Sequence, residues 1–269
     1  MLKYLSKKLV KLEGALKRET VAVVDKAPNS ELATLQSVQG IAVEKEQLFY
    51  FPLPKVACTS IKKELYRLKK GKEYLNDNHR GRHIHQYFDN HLVNSQAYSR
   101  KVVIIRDPIK RFLSAFGNRV KYHCETHEKA IKKNNPKLVG KLPFYNPNLG
   151  QFIEHFENYL QVESIAHHCK LVSDWLDDDL SLFTDVIPLE KLNVFEQILS
   201  DTFNEQVTFP REQTGGPKIP LHRLNRVQLD KLLVHYQRDY DLLSAHYTPD
   251  AIIQEWKDAK RSHRNQNKK

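Results

Sequence analysis

Short apolar runs alternate with amphipathic runs along most of the chain. Residues 48–51 and 101–105 have the length and side chains of β-strands. The second run holds four β-branched residues in succession, which suits a strand buried on both faces. Residues 184–189 form a third candidate strand. The spacing of apolar residues predicts helices over 59–68, the segment after Pro108, 149–160, 165–176, 190–199 and 225–246.

Two of these candidate strands are each followed by a turn and a helix. Pro54 opens the turn after residues 48–51, and Pro108 suits the first turn of the helix that follows residues 101–105. Repeated strand–turn–helix units are typical of α/β folds, in which helices flank a central parallel sheet. We therefore predict a single α/β domain over residues 1–269. In such sheets, ligands bind beyond the carboxyl ends of the strands.

The two ends of the chain differ from the segment between them. Residues 1–20 place leucines among lysines and arginines at helical spacing, which predicts a basic amphipathic helix. That helix either packs on the edge of the domain or makes a peripheral contact with an anionic membrane. Residues 257–269 are polar and basic, and we expect them to fray. With neither a secretory pattern nor a run of ~20 apolar residues, the expected location is cytoplasmic.

Composition and charge narrow the classes of partner. Lys and Arg total 43 against 32 Asp and Glu, so the net charge is +11. Such a surplus favours a polyanion, which includes nucleic acid, a phosphate-rich cofactor, an acidic glycan and an anionic membrane. The chain has only 9 glycines and no glycine-rich phosphate loop of the dinucleotide or P-loop type. Its 3 cysteines form no Cys-x-x-Cys pair, which argues against a disulfide framework or a structural zinc site.

The turn after the first strand carries side chains suited to an anion. Residues 54–60 read Pro-Lys-Val-Ala-Cys-Thr-Ser and lead into a predicted helix. A helix N-terminus offers free N–H groups and a partial positive charge, which together suit a phosphate. Thr59 and Ser60 add hydroxyl donors, and the Lys55 ammonium can reach over the anion. The alternative is an ordinary Thr N-cap beside a solvated lysine.

The second strand leads into a comparable arrangement. Arg106 ends the strand, Asp107 and Pro108 follow, and Ser114 lies on the next helix, about two turns further on. A guanidinium group and a hydroxyl together can clamp a terminal phosphate. We expect Asp107 to be the N-cap of the helix. The alternative for Arg106 is a structural ion pair with Asp107 or another acid.

Taken together, the two motifs resemble those of sulfotransferases that use 3′-phosphoadenosine 5′-phosphosulfate (PAPS), over about residues 48–120. In that family a P-K-x-x-[CS]-T-S turn holds the 5′-phosphosulfate, and R-D-P followed by [KR]-R-x-x-S-x-[FY] holds the 3′-phosphate. The residues of these motifs are most similar to those of the carbohydrate branch, which includes chondroitin, dermatan and heparan sulfotransferases, and to those of bacterial members. The resemblance implies a P-loop-like sulfotransferase fold with PAPS as co-substrate and no metal. It implies nucleotide binding by Lys55, Ala57, Cys58, Thr59, Ser60, Arg106 and Ser114.

The resemblance also implies the chemistry at the acceptor. The reaction would be an in-line transfer of the sulfuryl group to a carbohydrate hydroxyl, with Lys55 stabilising the leaving 5′-phosphate and a base taking the proton. Uronyl 2-O-sulfotransferases carry an H-x-H element before R-D-P that supplies this base. His83 and His85 are similarly placed, so we predict His85 as the base and His83 as second choice. The alternative is a pair of surface histidines, and a zinc site lacks a third ligand nearby.

Roles can also be predicted for three residues further along the chain, from sequence signals that are less specific than the two motifs. Lys218 follows a glycine pair, and the family often closes over the nucleotide with a late loop that holds Gly and Lys. Lys218 is therefore predicted to meet the 3′-phosphate or an acidic acceptor, with a plain flexible turn as the alternative. His168 lies on a segment that approaches the active site in chondroitin-type members, which implies an acceptor contact. We expect Glu190 to be structural.

Two other functions stay open. A nucleotide kinase of P-loop type requires a Walker loop and magnesium ligands, and the chain lacks a G-K-[ST] sequence. A non-enzymatic nucleic-acid-binding protein would account for the positive charge, and its salt-sensitive binding would not need Lys55. Its cations are dispersed, however, and no reader motif is present. We predict a PAPS-dependent sulfotransferase in the bacterial cytoplasm that acts on an acidic polysaccharide and has no nucleic-acid partner.

Overall fold

The computed structural model describes residues 37–43, 47–74, 84, 88, 91–94, 98–209 and 215–267. The predicted amphipathic segment 1–20 lies outside these residues. The strands are β1 (Ser37–Val43), β2 (Leu48–Phe51), β3 (His91–Asn94), β4 (Arg100–Ile105) and β5 (Asp185–Pro188).

Most of the described chain beyond the sheet is helical. Three short 3₁₀ turns cover Pro136–Leu138, Leu189–Lys191 and Leu221–Arg223. In the described part of the chain, no helix combines the length and apolar character needed to cross a membrane. The α-helices are α1 (Cys58–Lys70), α2 (Pro108–Ala115), α3 (Glu128–Asn134), α4 (Leu149–Glu154), α5 (Phe156–Tyr159), α6 (Glu163–Cys169), α7 (Ser173–Leu176), α8 (Leu192–Phe203), α9 (Arg226–His235), α10 (Gln237–Leu242) and α11 (Pro249–Gln266).

The strands form one sheet in the order β3-β1-β2-β4-β5. β2 pairs with β4 and β4 with β5 in parallel, so the predicted α/β class and the parallel centre of the sheet are confirmed. β1 pairs antiparallel with both β2 and β3, which the sequence did not predict. Only residues 44–47 join β1 to β2, and a connection of that length permits a hairpin but no helical crossover.

The centre of the sheet is fully buried. All four residues of β2 are buried, and residues 102–105 of β4 have no exposed surface, as their β-branched side chains predicted. One core cluster packs α1 and α8 against this sheet. A second cluster joins α2 to α4, α6, α9 and α11, with Phe112 and Tyr236 among its buried rings. The turns after β2 and β4 are therefore held by rigid packing on both sides.

Three predicted long helices are broken in the structure. Residues 149–160, 165–176 and 225–246 each form two shorter helices. In the last of these the break falls at Tyr236, whose backbone leaves the helical conformation. The Tyr236 ring is buried, and its hydroxyl donates a hydrogen bond to the Cys169 carbonyl at 2.9 Å. Contacts with a distant segment thus override the local helical pattern.

The basic C-terminal segment is also more ordered than expected. The predicted fraying of residues 257–269 is wrong as far as Gln266, because α11 continues to that residue. The Thr248 side chain accepts a hydrogen bond from the first turn of α11 and so caps it. The indole N–H of Trp256 donates to the Leu224 carbonyl at 2.9 Å, which ties the middle of α11 to the domain.

Candidate active site

The loop after β2 has a strained backbone where it meets α1. Lys55 and Ala57 have φ values of 68° and 62°, which residues with side chains rarely adopt. Ala57 is the N-cap of α1 and offers no side-chain hydrogen bond to the first turn. The alternative of a Thr59 N-cap is therefore wrong. Such strained residues at a helix start are common where a loop holds a ligand.

The first turn of α1 is closely packed around the Cys58 thiol. The Lys55 amide and the Thr59 hydroxyl both hydrogen-bond to this sulfur. Burial raises the pKa of the Cys58 thiol, and the charges of Lys62 and Lys55 offset that effect only in part. Ser60 is buried in the same turn. The thiol is therefore neutral at ordinary pH and forms part of the wall of the loop rather than a nucleophile.

The two sequence motifs meet at the carboxyl edge of the sheet. β2 and β4 are parallel neighbours, with Phe51 opposite Val103, so the segments that follow them emerge side by side. The Arg106 guanidinium donates a hydrogen bond to the Lys55 carbonyl at 3.2 Å. Ser114 is half-buried on α2, and its hydroxyl has no hydrogen-bond partner within the described ranges. Lys55 and Arg106 are thus brought together by a direct hydrogen bond, whereas the shared binding of a ligand by Lys55, Arg106 and Ser114 stays a prediction.

Asp107 has the structural role expected from the sequence. One of its carboxylate oxygens accepts a hydrogen bond from the Lys110 amide, which confirms it as the N-cap of α2. The Tyr240 hydroxyl donates to the other oxygen at 3.0 Å. Both oxygens are thus occupied by partners other than Arg106, whose guanidinium stays available for a ligand. Glu190 accepts a hydrogen bond from Tyr247 at 2.7 Å, which is consistent with its predicted structural role.

Arg119 is a charged residue of this site that the sequence analysis missed. It lies on a π-helical segment, Phe116–Tyr122, that continues directly from α2. One guanidinium nitrogen donates to Glu125 at 3.0 Å, whereas Nε is buried without a partner among the described residues. Its charge lowers the pKa of Lys55 and of His168, so all three groups share one electrostatic environment. π-Helical segments are frequent at functional sites.

Lys55 lies in a region of excess positive charge. Burial is the largest effect on its pKa, followed by the positive charge of Arg119 and, more weakly, that of Arg106, and the pKa falls to about 8. A bound anion would oppose both effects because it favours the charged form of the lysine. The site therefore fits a multiply charged anion better than it fits a neutral ligand.

His168 on α6 presents a neutral imidazole to the same environment. Its Nδ1 donates a hydrogen bond to the Ser164 carbonyl at 2.7 Å, which leaves Nε2 as an acceptor. Burial first, and then the positive charge of Arg119, lower its pKa to about 3. Nε2 of His168 can therefore accept a hydrogen bond from a ligand in this site. The predicted contact between His168 and the acceptor substrate stays a prediction.

The depressed pKa of His168 predicts a loss of stability in acid. The unfolded chain takes up this proton near the ordinary histidine pKa of ~6.5, whereas the folded protein does so only near pH 3. The contribution of His168 to stability is thus complete above pH ~6.5 and is lost as the pH falls towards 3. His168→Asn should reduce the slope of unfolding free energy against pH between 6.5 and 4, measured by urea unfolding. An unchanged slope would contradict the assignment.

The late glycine loop packs onto the π-helical segment. Asn118 donates a hydrogen bond to the Gly215 carbonyl at 2.8 Å, and a Cβ at Gly216 would collide with the Gly117 carbonyl oxygen. Gly215 and Gly216 both have positive φ, so this close approach requires glycine. The pair is thus more than a plain flexible turn. Lys218 is exposed beside it, and its contact with a phosphate or an acidic acceptor stays a prediction.

Of the segment predicted to carry the catalytic base, the structure describes Ile84. His83 and His85 lie outside the described residues, whereas Ile84 between them is buried in the core around the sheet. Across the described ranges, no three His, Cys, Asp or Glu side chains are grouped as metal ligands would be.

Of three comparisons with known proteins, one gave a match. Neither curated proteins nor solved structures gave a match. A family model, described as the sulfotransferase family, matches residues 40–247, which include β2 to β5, both motifs, Arg119 and His168. The match covers most of the chain, and the chain therefore belongs to the sulfotransferase family.

Proposed function

We propose that this sulfotransferase transfers the sulfuryl group of PAPS to a hydroxyl of a carbohydrate acceptor, an acidic polysaccharide. The observation that carries the donor assignment is the meeting of the two motifs, in which Arg106 contacts the Lys55 carbonyl at 3.2 Å. PAPS supplies the sulfuryl group and a phosphate leaving group. Its two phosphate ends match the two clusters of donors, one on the Lys55 loop and one formed by Arg106 and Ser114.

The residues of the chain would divide the work as follows. Lys55, with the uncapped first turn of α1, would bind the phosphosulfate and stabilise the charge that develops on the leaving oxygen. The pKa of Lys55 is lowered to about 8 in the free protein, and the bound anion would raise it again, so the lysine would be fully charged during transfer. Arg106 and Ser114 would hold the 3′-phosphate, and Lys218 would add a contact from the glycine loop.

The base that accepts the proton of the attacking hydroxyl is proposed to be His85, with His83 as second choice. His85→Ala should lower turnover by ~10²–10⁴-fold and leave nucleotide binding unchanged. The measurement is sulfate transfer from radiolabelled PAPS to uronic-acid polymers, with His83→Ala and His168→Ala measured beside it. If His85→Ala keeps full turnover and one of the other two loses it, the role moves to that histidine.

The donor assignment is tested by thermal unfolding with 3′,5′-adenosine bisphosphate. At ~100 times its dissociation constant the ligand should stabilise the fold by about 2.7 kcal/mol. ADP lacks the 3′-phosphate and should have little effect. Arg106→Ala should lose most of the shift, because it removes a charged donor to that phosphate.

The same experiment separates the two alternative functions. A shift with magnesium-ATP but none with the bisphosphate would indicate a nucleotide kinase. No shift with any nucleotide, together with salt-sensitive binding of duplex DNA, would indicate a nucleic-acid-binding protein. The bacterial, cytoplasmic setting stays a prediction throughout.

A further inference from the structure

A second concentration of positive charge lies on the C-terminal helix, outside the site described above. Here α11 and the start of α9 enclose an open cavity of about 490 Å³, which we call the basic groove. It is lined chiefly by Arg226, Trp256, Lys257, Lys260, Arg261 and Arg264.

Five cations line this groove and no carboxylate does. Two of them have acidic partners, since Arg226 contacts Asp230 at 2.9 Å and Arg261 contacts Asp258 at 2.7 Å. Each of these arginines has further N–H donors that such a contact leaves unused. Lys257, Lys260 and Arg264 have no ion-pair partner among the residues that the structure describes. The groove thus carries a strong local excess of positive charge.

Trp256 gives the groove an aromatic wall with a defined orientation. Its indole N–H is taken by the Leu224 carbonyl at 2.9 Å, so the ring is held in place. The Lys260 ammonium lies 5.8 Å from the ring centroid. Lys260 lies over the ring, so a sugar can contact only the part of the indole that lines the groove, while the cations bind its carboxylates or sulfates.

The groove is linked to the helices of the transfer site. Glu255, next to Trp256, forms an ion pair with Lys110 of α2 at 2.8 Å. The chain from the glycine loop to Arg226 passes through the turn Leu221–Arg223, which packs against α11. The groove therefore belongs to the same helical layer that carries Ser114.

We infer that the basic groove binds a second stretch of the acidic polysaccharide acceptor, at a distance from the sugar that is sulfated. This inference rests on the proposed function for its choice of a glycan. Charge complementarity, together with the fixed indole ring among the lining residues, favours an acidic sugar chain. Long acceptors would then bind more tightly than short ones, because only long chains reach both places at once.

The test compares two variants that each lose three positive charges. The groove variant carries Lys257→Ser, Lys260→Ser and Arg264→Ser. The control carries Lys129→Ser, Lys133→Ser and Lys137→Ser, three exposed lysines on and just after α3. Fluorescence anisotropy measures the binding of labelled unsulfated chondroitin polymer and of labelled chondroitin tetrasaccharide. Thermal unfolding with the bisphosphate nucleotide is measured on the same samples.

We expect the groove variant to bind the polymer about tenfold to thirtyfold more weakly, because each lost cation contributes about twofold to threefold. The control should change by less than twofold, and the tetrasaccharide should bind equally to all three proteins. Equal weakening in both variants would show a general charge effect and overturn the inference. It would also be overturned if duplex DNA or anionic vesicles bound more tightly than the polymer and lost that binding in the groove variant.

The nucleotide measurement separates this inference from the proposed function. If the bisphosphate still stabilises the groove variant against thermal unfolding while polymer binding is weakened, both the donor assignment and the groove inference are supported. Absence of the shift in the unmodified protein would reject the donor assignment, whereas the polymer comparison would still decide whether the groove binds an acidic glycan.

Discussion

Replacing Lys55 by alanine will lower sulfate transfer by at least ~10²–10³-fold, the usual loss when a charged or hydrogen-bonding group that stabilises the transition state is removed. In the proposed mechanism neither Arg106, which would bind the 3′-phosphate, nor Arg119 takes over this role. Arg106 uses part of its guanidinium on the Lys55 carbonyl, and Arg119 is tied to Glu125. Lys55 therefore supplies the positive charge closest to the leaving oxygen in the proposed geometry.

The fold should tolerate this change. The ammonium of Lys55 is held in a region of positive charge, so its removal leaves no acid unpaired. Alanine is also the residue found at position 57 with nearly the same positive φ. The melting temperature of Lys55→Ala should therefore match or exceed that of the unmodified protein.

A matched control and a second readout make the prediction sharper. Lys70→Ala removes an exposed lysine at the end of α1 and should leave transfer unchanged. In Lys55→Ala, NMR titration should show a higher pKa for His168, because the Lys55 charge contributes to lowering it. Full transfer activity in Lys55→Ala would show that the phosphosulfate is bound elsewhere.

The positions of the two turns at the carboxyl edge of the sheet were predictable because their signals are local. Lys55, Ser60, Arg106 and Ser114 each stand within a short strand–turn–helix segment, and parallel pairing of β2 with β4 brings those segments together. The antiparallel partners of the sheet were missed because residues 37–43 carry a weaker apolar pattern than β2 and β4.

Arg119 shows where sequence reasoning reached its limit. It follows Ser114 on what reads as an ordinary amphipathic helix, and nothing local distinguishes it from the other cations. Its place in the site depends on the π-helical segment and on the packing of Gly216 against Gly117. The glycine pair itself was the one available signal, since two adjacent glycines in a glycine-poor chain indicate a close backbone approach.

Arg111 belongs to the second motif, but its contacts are structural. In the sequence it lies between Arg106 and Ser114, yet its side chain is only 1% exposed and is therefore not accessible to a ligand. It donates hydrogen bonds to the carbonyls of His168 and Lys170 at the end of α6. Its guanidinium also lies 3.7 Å from a carboxylate oxygen of fully buried Asp239.

Arg111→Met should therefore destabilise the protein by about 3–5 kcal/mol, because it leaves Asp239 buried without its positive partner and two carbonyls without a donor. Urea unfolding measures the loss, and Lys110→Met is the control. Lys110 forms a partly exposed pair with Glu255, and its removal should cost less than ~1 kcal/mol.

A second substitution tests the cause rather than the size of the effect. If the loss arises from the unpaired acid, Arg111→Met combined with Asp239→Leu will be less destabilised than the sum of the two single variants. Additive losses would mean that the two groups do not act as a pair and that the carbonyls at the end of α6 carry the cost. Since those carbonyls hold the helix that presents His168, the single variant should also lower transfer at temperatures where it remains folded.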